Sequence, residues 1–138
     1  MLGGAAAVLL ASQLGCASAS APHVQDTSNV VVDHTYPRAK LVLGSKDLLG
    51  KVVIIDPKFR KTGSLTEASV SVQNLSQNTY NLEYRFEWED DDGFEVDGGG
   101  IWTRFSLTPN LIKKIRATGP SPQATRITFT VRYPHTSS

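Results

Sequence analysis

The sequence predicts an all-β protein: an immunoglobulin-like antiparallel β-sandwich of about seven strands, preceded by an N-terminal leader segment. Beyond residue 30, apolar and polar residues alternate in several segments, which is the period of a strand with one buried face. Clusters of Gly, Pro, Asn and Asp separate these segments, and no long helical period interrupts them. With 138 residues, 40% hydrophobic and 20% charged, the chain suits one globular domain rather than a disordered chain or a multi-span membrane protein.

The charge balance and the cysteine content exclude several classes of site. The formal net charge is +1, so the overall charge does not draw the chain to nucleic acid or to anionic lipid. A single cysteine, Cys16, excludes an internal disulfide and a cysteine-based zinc site. The core therefore has to hold by packing alone, which a folded body of about 105 residues allows.

Residues 1–15 have the features of a secretory signal peptide. They carry no charge, and their apolar run at 5–11 is shorter than the roughly 20 residues of a membrane-spanning helix. Small residues follow, and Leu14, Gly15 and Cys16 resemble the end of a bacterial lipobox. That resemblance implies cleavage before Cys16 and acylation of its thiol. The alternative is a buried N-terminal helix of a cytosolic protein, with Cys16 as a small apolar residue.

Residues 16–29 favour the lipoprotein interpretation, because after the cysteine they are rich in Ala and Ser and have no period. Such a segment is typical of a flexible tether between an anchor and a fold. In bacterial lipoproteins an Asp after the cysteine retains the protein in the inner membrane, so Ala17 implies the outer membrane. We therefore predict a signal peptide at 1–15, a lipidated Cys16 and tether at 16–29, and a sandwich domain at 30–138.

The first elements of the body are short. Residues 30–32 form a β-branched run that predicts a strand, and residues 45–50 predict one helical turn with Ser45 as its N-cap. Residues 51–59 predict a longer strand. Pro57 lies near its end, and because proline has no N–H to donate, this strand is expected at a sheet edge or with a bulge.

The clearest element is the strand at residues 80–88, which follows a strand at 68–75 that has Val70 and Val72 on one face. Along 80–88, large apolar side chains alternate with polar ones, so we expect an antiparallel strand with one buried face and one wet face. The expected buried set is Tyr80, Leu82, Tyr84, Phe86 and Trp88, and the expected wet set is Asn81, Glu83, Arg85 and Glu87.

The remainder of the chain alternates between turns and short strands. An Asp-Gly turn at residues 90–93 predicts a hairpin; a return strand begins at 94–96, and the glycines at 98–100 break it. Residues 108–110 and 119–122 predict loops. Further strands are expected at 101–107 and 127–133, while 111–117 fits either a strand or a helical turn.

Turn residues and core aromatics give the sequence a resemblance to a known family. They are Gln73-Asn74-Leu75 at a strand end, Tyr84-Arg85-Phe86 and Trp88 in the next strand, the Asp92-Gly93 turn, and Trp102 before a turn that starts at Leu107. With these residues the chain resembles the YcfL-like family of small bacterial periplasmic lipoproteins over residues 48–133. The resemblance implies a periplasmic lipoprotein with an immunoglobulin-like sandwich, and it implies no catalytic residues.

A cluster of acidic residues surrounds the predicted hairpin. Calcium requires several oxygen ligands around one centre, and an EF-hand loop alternates its acids and ends on Glu. This cluster does neither, so we interpret it as a solvated turn and predict no metal site. Its members are Glu87, Glu89, Asp90, Asp91, Asp92, Glu95 and Asp97.

No catalytic constellation is present in the sequence. His23, His34 and His135 lie in the tether or near the ends of the chain, and no HExxH, G-x-S-x-G or phosphate-binding glycine motif occurs. We therefore predict no catalytic residues, no cofactor and no enzymatic activity.

Trp102 and the basic group Lys113, Lys114 and Arg116 are the candidates for a ligand or partner surface. The basic group suits an anionic lipid, a glycan or a partner protein, and its alternative is a solvated strand face. Trp102 follows a glycine loop and suits stacking on a sugar, whereas Trp88 lies in phase with a strand and is expected in the core.

Taken together, these features predict an accessory lipoprotein without enzymatic activity. It is expected at the periplasmic face of the outer membrane, attached through Cys16, where its sandwich binds another envelope protein and no nucleic acid. The alternative is a glycan-binding or small-ligand-binding module that uses Trp102 and the loops around Gly98 and Pro120.

Overall fold

The computed structural model describes residues 29–33, 35–98 and 100–135, and their strands form two sheets. One sheet has five strands in the order β1-β2-β8-β5-β6, and the other has three in the order β3-β4-β7. A turn of 3-10 helix lies at Lys46–Leu48. The strands are β1 (Val30–Asp33), β2 (Ala39–Leu43), β3 (Val52–Thr62), β4 (Leu65–Asn74), β5 (Tyr80–Glu89), β6 (Thr103–Leu107), β7 (Ile112–Thr118) and β8 (Arg126–Arg132). The predicted β-sandwich is confirmed.

β2 is the strand that the sequence did not predict, and it brings the number in the described residues to eight. It has five residues, too few for a clear period, yet Leu41 and Leu43 are fully buried. Its position depends on distant partners, since it lies between β1 and β8. The β2–β8 pair is parallel, from Ala39 opposite Ile127 to Leu43 opposite Val131, while the other strand pairs are antiparallel.

Pairing with β4 decides between the alternatives that were predicted for β3 and β7. β3 is an edge strand, and its register with β4 shifts between Ile55 and Lys58. Asp56 has φ 61 in this bulge, directly before Pro57, so the edge position and the bulge are both present. The segment at 111–117, which fitted a strand or a helical turn, forms the strand β7 against β4.

The acidic hairpin closes as predicted, but its return strand does not form. The Asp90 N–H donates to the Phe94 carbonyl oxygen at 2.8 Å, and the Gly93 N–H donates to that of Asp90 at 3.0 Å. Beyond this turn, Glu89 and Glu95 make an isolated bridge. Gly98, with φ 98, then turns the chain away.

The core lies between the two sheets and is filled by the inward faces of the strands. β5 supplies Leu82, Phe86 and Trp88, all buried, and Trp88 is 2% exposed. The Phe86 and Phe129 rings lie 4.8 Å apart between centroids, and Tyr84 contacts both. The predicted core position of Trp88 is therefore confirmed.

The face of β5 that was expected to be wet is only partly so. Glu83 is buried, with 7% of its side chain exposed. Its Oε1 accepts hydrogen bonds from Arg132 Nε at 3.1 Å and from the His135 N–H at 2.9 Å. The chain that follows β8 covers this position, which the alternating pattern of β5 by itself does not reveal.

The N-terminal predictions fall outside the described residues. Residues 1–28, which include the signal peptide, Cys16, His23 and nearly all of the tether, are not among them, and neither is His34. Within the part of the chain that the structure describes, no helix is long and apolar enough to cross a bilayer.

Candidate functional site: the outer face of the three-stranded sheet

The pairing of β3, β4 and β7 places their outward side chains in rows across the sheet. Val70 and Val72 of β4 point into the core and are fully buried, so Glu67, Ser69, Ser71 and Gln73 point outward. We call this surface the outer face. Its successive rows are Val53, Gln73 and Ile112; then Ile55, Ser71 and Lys114; then Lys58, Ser69 and Arg116; then Arg60, Glu67 and Thr118.

One end of the outer face is cationic. Lys58 and Arg116 flank Ser69 from the two neighbouring strands, Lys114 lies one row away on β7, and Arg60 lies one row away on β3. All four cationic side chains belong to exposed residues. Four cations on one sheet face are therefore gathered from strands that are separated along the chain.

The cations differ in how far they are neutralised. Arg60 Nε donates to the Glu67 carboxylate, and Lys58 Nζ lies 3.4 Å from Asp56 in the bulge. No ion pair involves Lys114 or Arg116 in the residues that the structure describes. The β7 side of the outer face is thus a local excess of positive charge on a chain that is nearly neutral overall.

The other end of the outer face is apolar and uncovered. Ile112 is 54% exposed and Ile55 is 39% exposed. Leu75 and Leu111 extend this apolar surface around the end of the sheet; both are exposed, and the Leu111 carbonyl oxygen accepts from the Asn74 N–H at 3.0 Å. An apolar patch beside a charged one is typical of a surface that binds another molecule.

A shallow groove lies at the cationic end of the outer face. Its volume is about 260 Å³, and it is lined by Lys58, Phe59, Arg60, Glu67, Ser69, Lys114 and Arg116. The central strand contributes Glu67 and the short side chain of Ser69, which lies between long side chains from the two edge strands. The groove is therefore a trough over this part of β4, open to solvent rather than enclosed.

The structure divides the basic group that the sequence predicted. Lys114 and Arg116 lie on the outer face, but Lys113 is opposite Val72 and points to the other side of the sheet. There its Nζ lies 5.8 Å from the centre of the Phe105 ring. The outer face also carries Lys58 and Arg60, which were not among the predicted site residues. Their spacing of two residues was a usable signal, but only pairing through β4 places them beside β7.

Trp102 lies elsewhere, over the other sheet. The Arg132 guanidinium carbon is 3.5 Å from the centre of the indole ring, and that of Arg85 is 4.5 Å away. Arg85 also pairs with Glu87 at 3.1 Å. Cations hold this position over an aromatic ring by electrostatic attraction to its π face. Since Arg132 covers the indole, a sugar ring has to displace it in order to stack there.

Residues of the acidic hairpin accept hydrogen bonds from the hairpin backbone and from residues at the start of β8. Asp90 Oδ1 accepts from the N–H groups of Asp92 and Phe94, both at 2.9 Å. Asp91 Oδ1 accepts from the Thr125 hydroxyl, and its carbonyl oxygen accepts from Arg126 at 3.1 Å. In the described part of the chain, no group of three or more Asp, Glu, His and Cys residues is placed to hold a metal ion.

Tyr133 is a titratable residue whose environment shifts the pKa of its phenol. Burial raises the pKa of its phenol above the ordinary value of 10.0, and the neighbouring Tyr80 and Asp47 raise it further. All three effects oppose the phenolate form, which is negatively charged. Tyr133 packs against the core rather than the outer face, so this shift concerns stability and not the candidate site.

Known proteins share this fold. Residues 39–133 match the family model described as "Protein of unknown function (DUF1425)". The crystal structure of Campylobacter jejuni cj0090 is 18% identical with a TM-score of 0.57, over 68% of this chain and 97% of that chain. A DUF1425 family member from Shewanella sp. pv-4 is 21% identical with a TM-score of 0.57, over 83% of this chain and 96% of that chain.

At these identities the two structures establish the fold alone. None of the curated proteins matches this chain. The family model, in contrast, spans well over half of the sequence, from β2 through β8. The chain therefore belongs to the DUF1425 family.

Proposed function

We propose that this protein is an accessory lipoprotein of the cell envelope, whose sandwich binds another envelope protein through the outer face of the three-stranded sheet. The observation that carries the proposal is the composition of that face. It combines exposed isoleucines at one end with cations at the other, and Lys114 and Arg116 have no ion-pair partner among the described residues.

The chemistry of the outer face suits recognition rather than catalysis. Ser69 and Ser71 are the hydroxyl groups at its centre, and neither strand beside them places a histidine opposite these serines. A nucleophilic serine needs such a base within hydrogen-bond reach. An open trough also leaves any bound group in contact with water. Protein interfaces tolerate such water well. We therefore propose a binding role and no enzymatic one.

The N-terminal sequence supports the proposed location at the periplasmic face of the outer membrane. An uncharged apolar run, small residues, the sole cysteine and an aperiodic tether follow one another before any strand. The resemblance to YcfL-like periplasmic lipoproteins agrees with this order. A single acyl chain gives only reversible membrane binding, so the several chains of a processed lipoprotein are what make the proposed anchor permanent.

Site-specific photo-crosslinking tests the binding proposal. A photoreactive amino acid at Ser69 lies at the centre of the outer face, and one at Ser106 lies on the outward side of β6 in the other sheet, where it pairs with Asn81. We expect the Ser69 variant, expressed in intact cells, to crosslink one envelope protein that mass spectrometry identifies and a reciprocal crosslink confirms. An equal yield from Ser106, or no protein product from Ser69, would refute this use of the face.

Mass spectrometry of the N-terminal peptide tests the anchor. The peptide from native membranes should begin at Cys16 and carry acyl mass, and Cys16→Ser should abolish both the acylation and this cleavage. The variant should leave the stability of the sandwich unchanged, because Cys16 precedes β1 by more than a dozen residues. An unmodified Cys16 peptide would contradict the proposed location.

The second candidate, a glycan-binding or small-ligand-binding module, receives less support. Its central residue, Trp102, already stacks with Arg132. Retention of the purified chain on peptidoglycan without any protein, lost in Trp102→Ala, would favour this alternative over the first.

A further inference from the structure

We propose that the segment bound on the outer face is an extended, acidic peptide strand that lies along β4, with alternate carboxylates against the cationic rows and an apolar side chain against the isoleucines. This inference rests on the proposed function, since it names the chemistry of the protein partner at the same surface. It follows from the spacing of the rows, from their charge and from the order of polar and apolar groups.

The spacing of the rows matches the repeat of an extended peptide. Lys114 and Arg116 are two residues apart on β7, so their rows are separated by about 6.8 Å, which is twice the rise of a strand. An extended peptide lying along the trough presents the side chains of one face at the same repeat. Carboxylates at every second position therefore meet the row of Lys114, the row of Lys58 and Arg116, and then the row in which Arg60 already pairs with Glu67, without a change of register.

The charge and the shape of the trough favour carboxylates as its occupants. Lys114 and Arg116 have no ion pair among the described residues, so an incoming carboxylate adds a favourable contact without breaking an existing one. Ser69 and Ser71 have short side chains, which leaves room for a chain between the long side chains of β3 and β7. The hydroxyl group of Ser69, which lines the groove, can donate to one of these acids.

The apolar end of the outer face determines the order in which acidic and apolar residues must follow one another in the bound peptide. Ile55 lies in the same row as Lys114, one row from Arg116, and Ile112 lies one row further along. An extended segment that carries acids on one face over the cationic rows and then a large apolar side chain on the same face buries these isoleucines as well. Charge fixes the register of such a contact, and the apolar end contributes affinity.

A single phosphate fits these observations less well than a strand of carboxylates does. The four cations extend over three rows, and about 14 Å separates the first of these rows from the third. One phosphate group cannot span that distance, whereas a chain with three spaced acids does. The occupant is thus a peptide segment and not a lipid headgroup.

The probe that tests this inference is a synthetic nonapeptide with glutamates at its first, third and fifth positions, isoleucines at its seventh and ninth, and threonines between. A control peptide has the same composition in an order that places the acids next to one another. We expect the full chain, purified in nonionic detergent, to bind the alternating peptide about tenfold more tightly than the control. Binding should weaken by a similar factor between about 0.05 and 0.5 M salt, because the contacts are exposed ion pairs.

Matched variants test whether the outer face makes the contact. Lys114→Gln with Arg116→Gln removes two unpaired cations and should weaken binding of the alternating peptide about tenfold without lowering the melting temperature. Lys40→Gln with Arg104→Gln removes two exposed cations from the other sheet and should leave binding unchanged.

Each alternative outcome overturns the inference. Equal binding of the two peptides would show that spacing is not recognised, and equal loss in the two double variants would show that only net charge matters. Binding to vesicles of equal parts phosphatidylethanolamine and phosphatidylglycerol, with none to the peptide, would identify a lipid surface instead. If the Ser69 crosslink still captures its partner in the Lys114→Gln, Arg116→Gln background, the proposed function stands and the acidic strand does not.

Discussion

Replacing Glu83 by alanine should destabilise the sandwich far more than the same change at Glu87, although both side chains belong to the outward set of β5. The Glu83 side chain is 7% exposed, and its Oε1 accepts from Arg132 Nε and from the His135 N–H. The Glu87 side chain is 33% exposed, and its ion pair is with the half-buried Arg85. The pair thus isolates the effect of burial from that of charge and strand position.

The magnitude follows from these contacts. A hydrogen bond to a charged group contributes about 1.5–3 kcal/mol, and breaking a fully buried ion pair costs about 3–5 kcal/mol. Arg132 keeps 30% of its side chain exposed and retains its contact with Trp102, so it remains partly solvated when Glu83 is lost. We therefore expect Glu83→Ala to lower the free energy of unfolding by about 2 kcal/mol, and Glu87→Ala by less than about 0.5 kcal/mol.

Urea melts of the purified variants measure both losses. Glu83→Gln serves as an internal control, because its amide oxygen still accepts from the His135 N–H and should recover part of the stability. Equal losses for Glu83→Ala and Glu87→Ala would refute the buried position of Glu83 and with it the covering of β5 by the chain after β8.

Three further predictions concern the core, a close contact and alkaline pH. Trp88→Ala should cost about 3–5 kcal/mol in urea melts, as large-to-small core substitutions do, and a loss below about 1 kcal/mol would contradict the inward position of this side chain. Gly44→Ala should cost about 1–3 kcal/mol, because a Cβ at this position would overlap with Arg132 Cβ on β8; an unchanged melting temperature would contradict the close approach of Gly44 to β8. Because the pKa of Tyr133 is raised in the folded chain, its contribution to stability is complete below about pH 10 and is lost as the pH rises through the raised value. Tyr133→Phe should therefore flatten the loss of stability above pH 10, and an identical alkaline profile for the variant and the natural chain would count against this assignment.

Much of the fold was predictable because the signals for strands and turns are local. The alternation along β5 predicted that Leu82, Phe86 and Trp88 face inward, and all three are buried. Pro57 predicted an edge or a bulge in β3, and both are present. Such signals act through the backbone geometry of neighbouring residues, so they need no knowledge of distant partners.

The candidate site was predictable only in part, because it is assembled by pairing between strands. Lys114 and Arg116 were selected from the sequence, but Lys58 and Arg60 reach them only through the register of β3 and β7 on β4. Lys113, which is adjacent to Lys114 in the sequence, points to the opposite side of the sheet. Because successive side chains of a strand point to opposite faces of the sheet, sequence neighbours lie on different faces, whereas residues paired across strands share a face.

The class of the fold, the positions of the turns and the inward faces of the longest strands were predictable from the sequence, because alternation and turn chemistry are properties of a few consecutive residues. Packing between distant segments set the other features. It placed the five-residue β2 in parallel beside β8, buried Glu83 beneath Arg132 and His135, covered Trp102 with a guanidinium group, and gathered four cations on one face. These outcomes share one physical reason: burial and charge at a position are set by the residues packed against it, and most of those residues are far away along the chain.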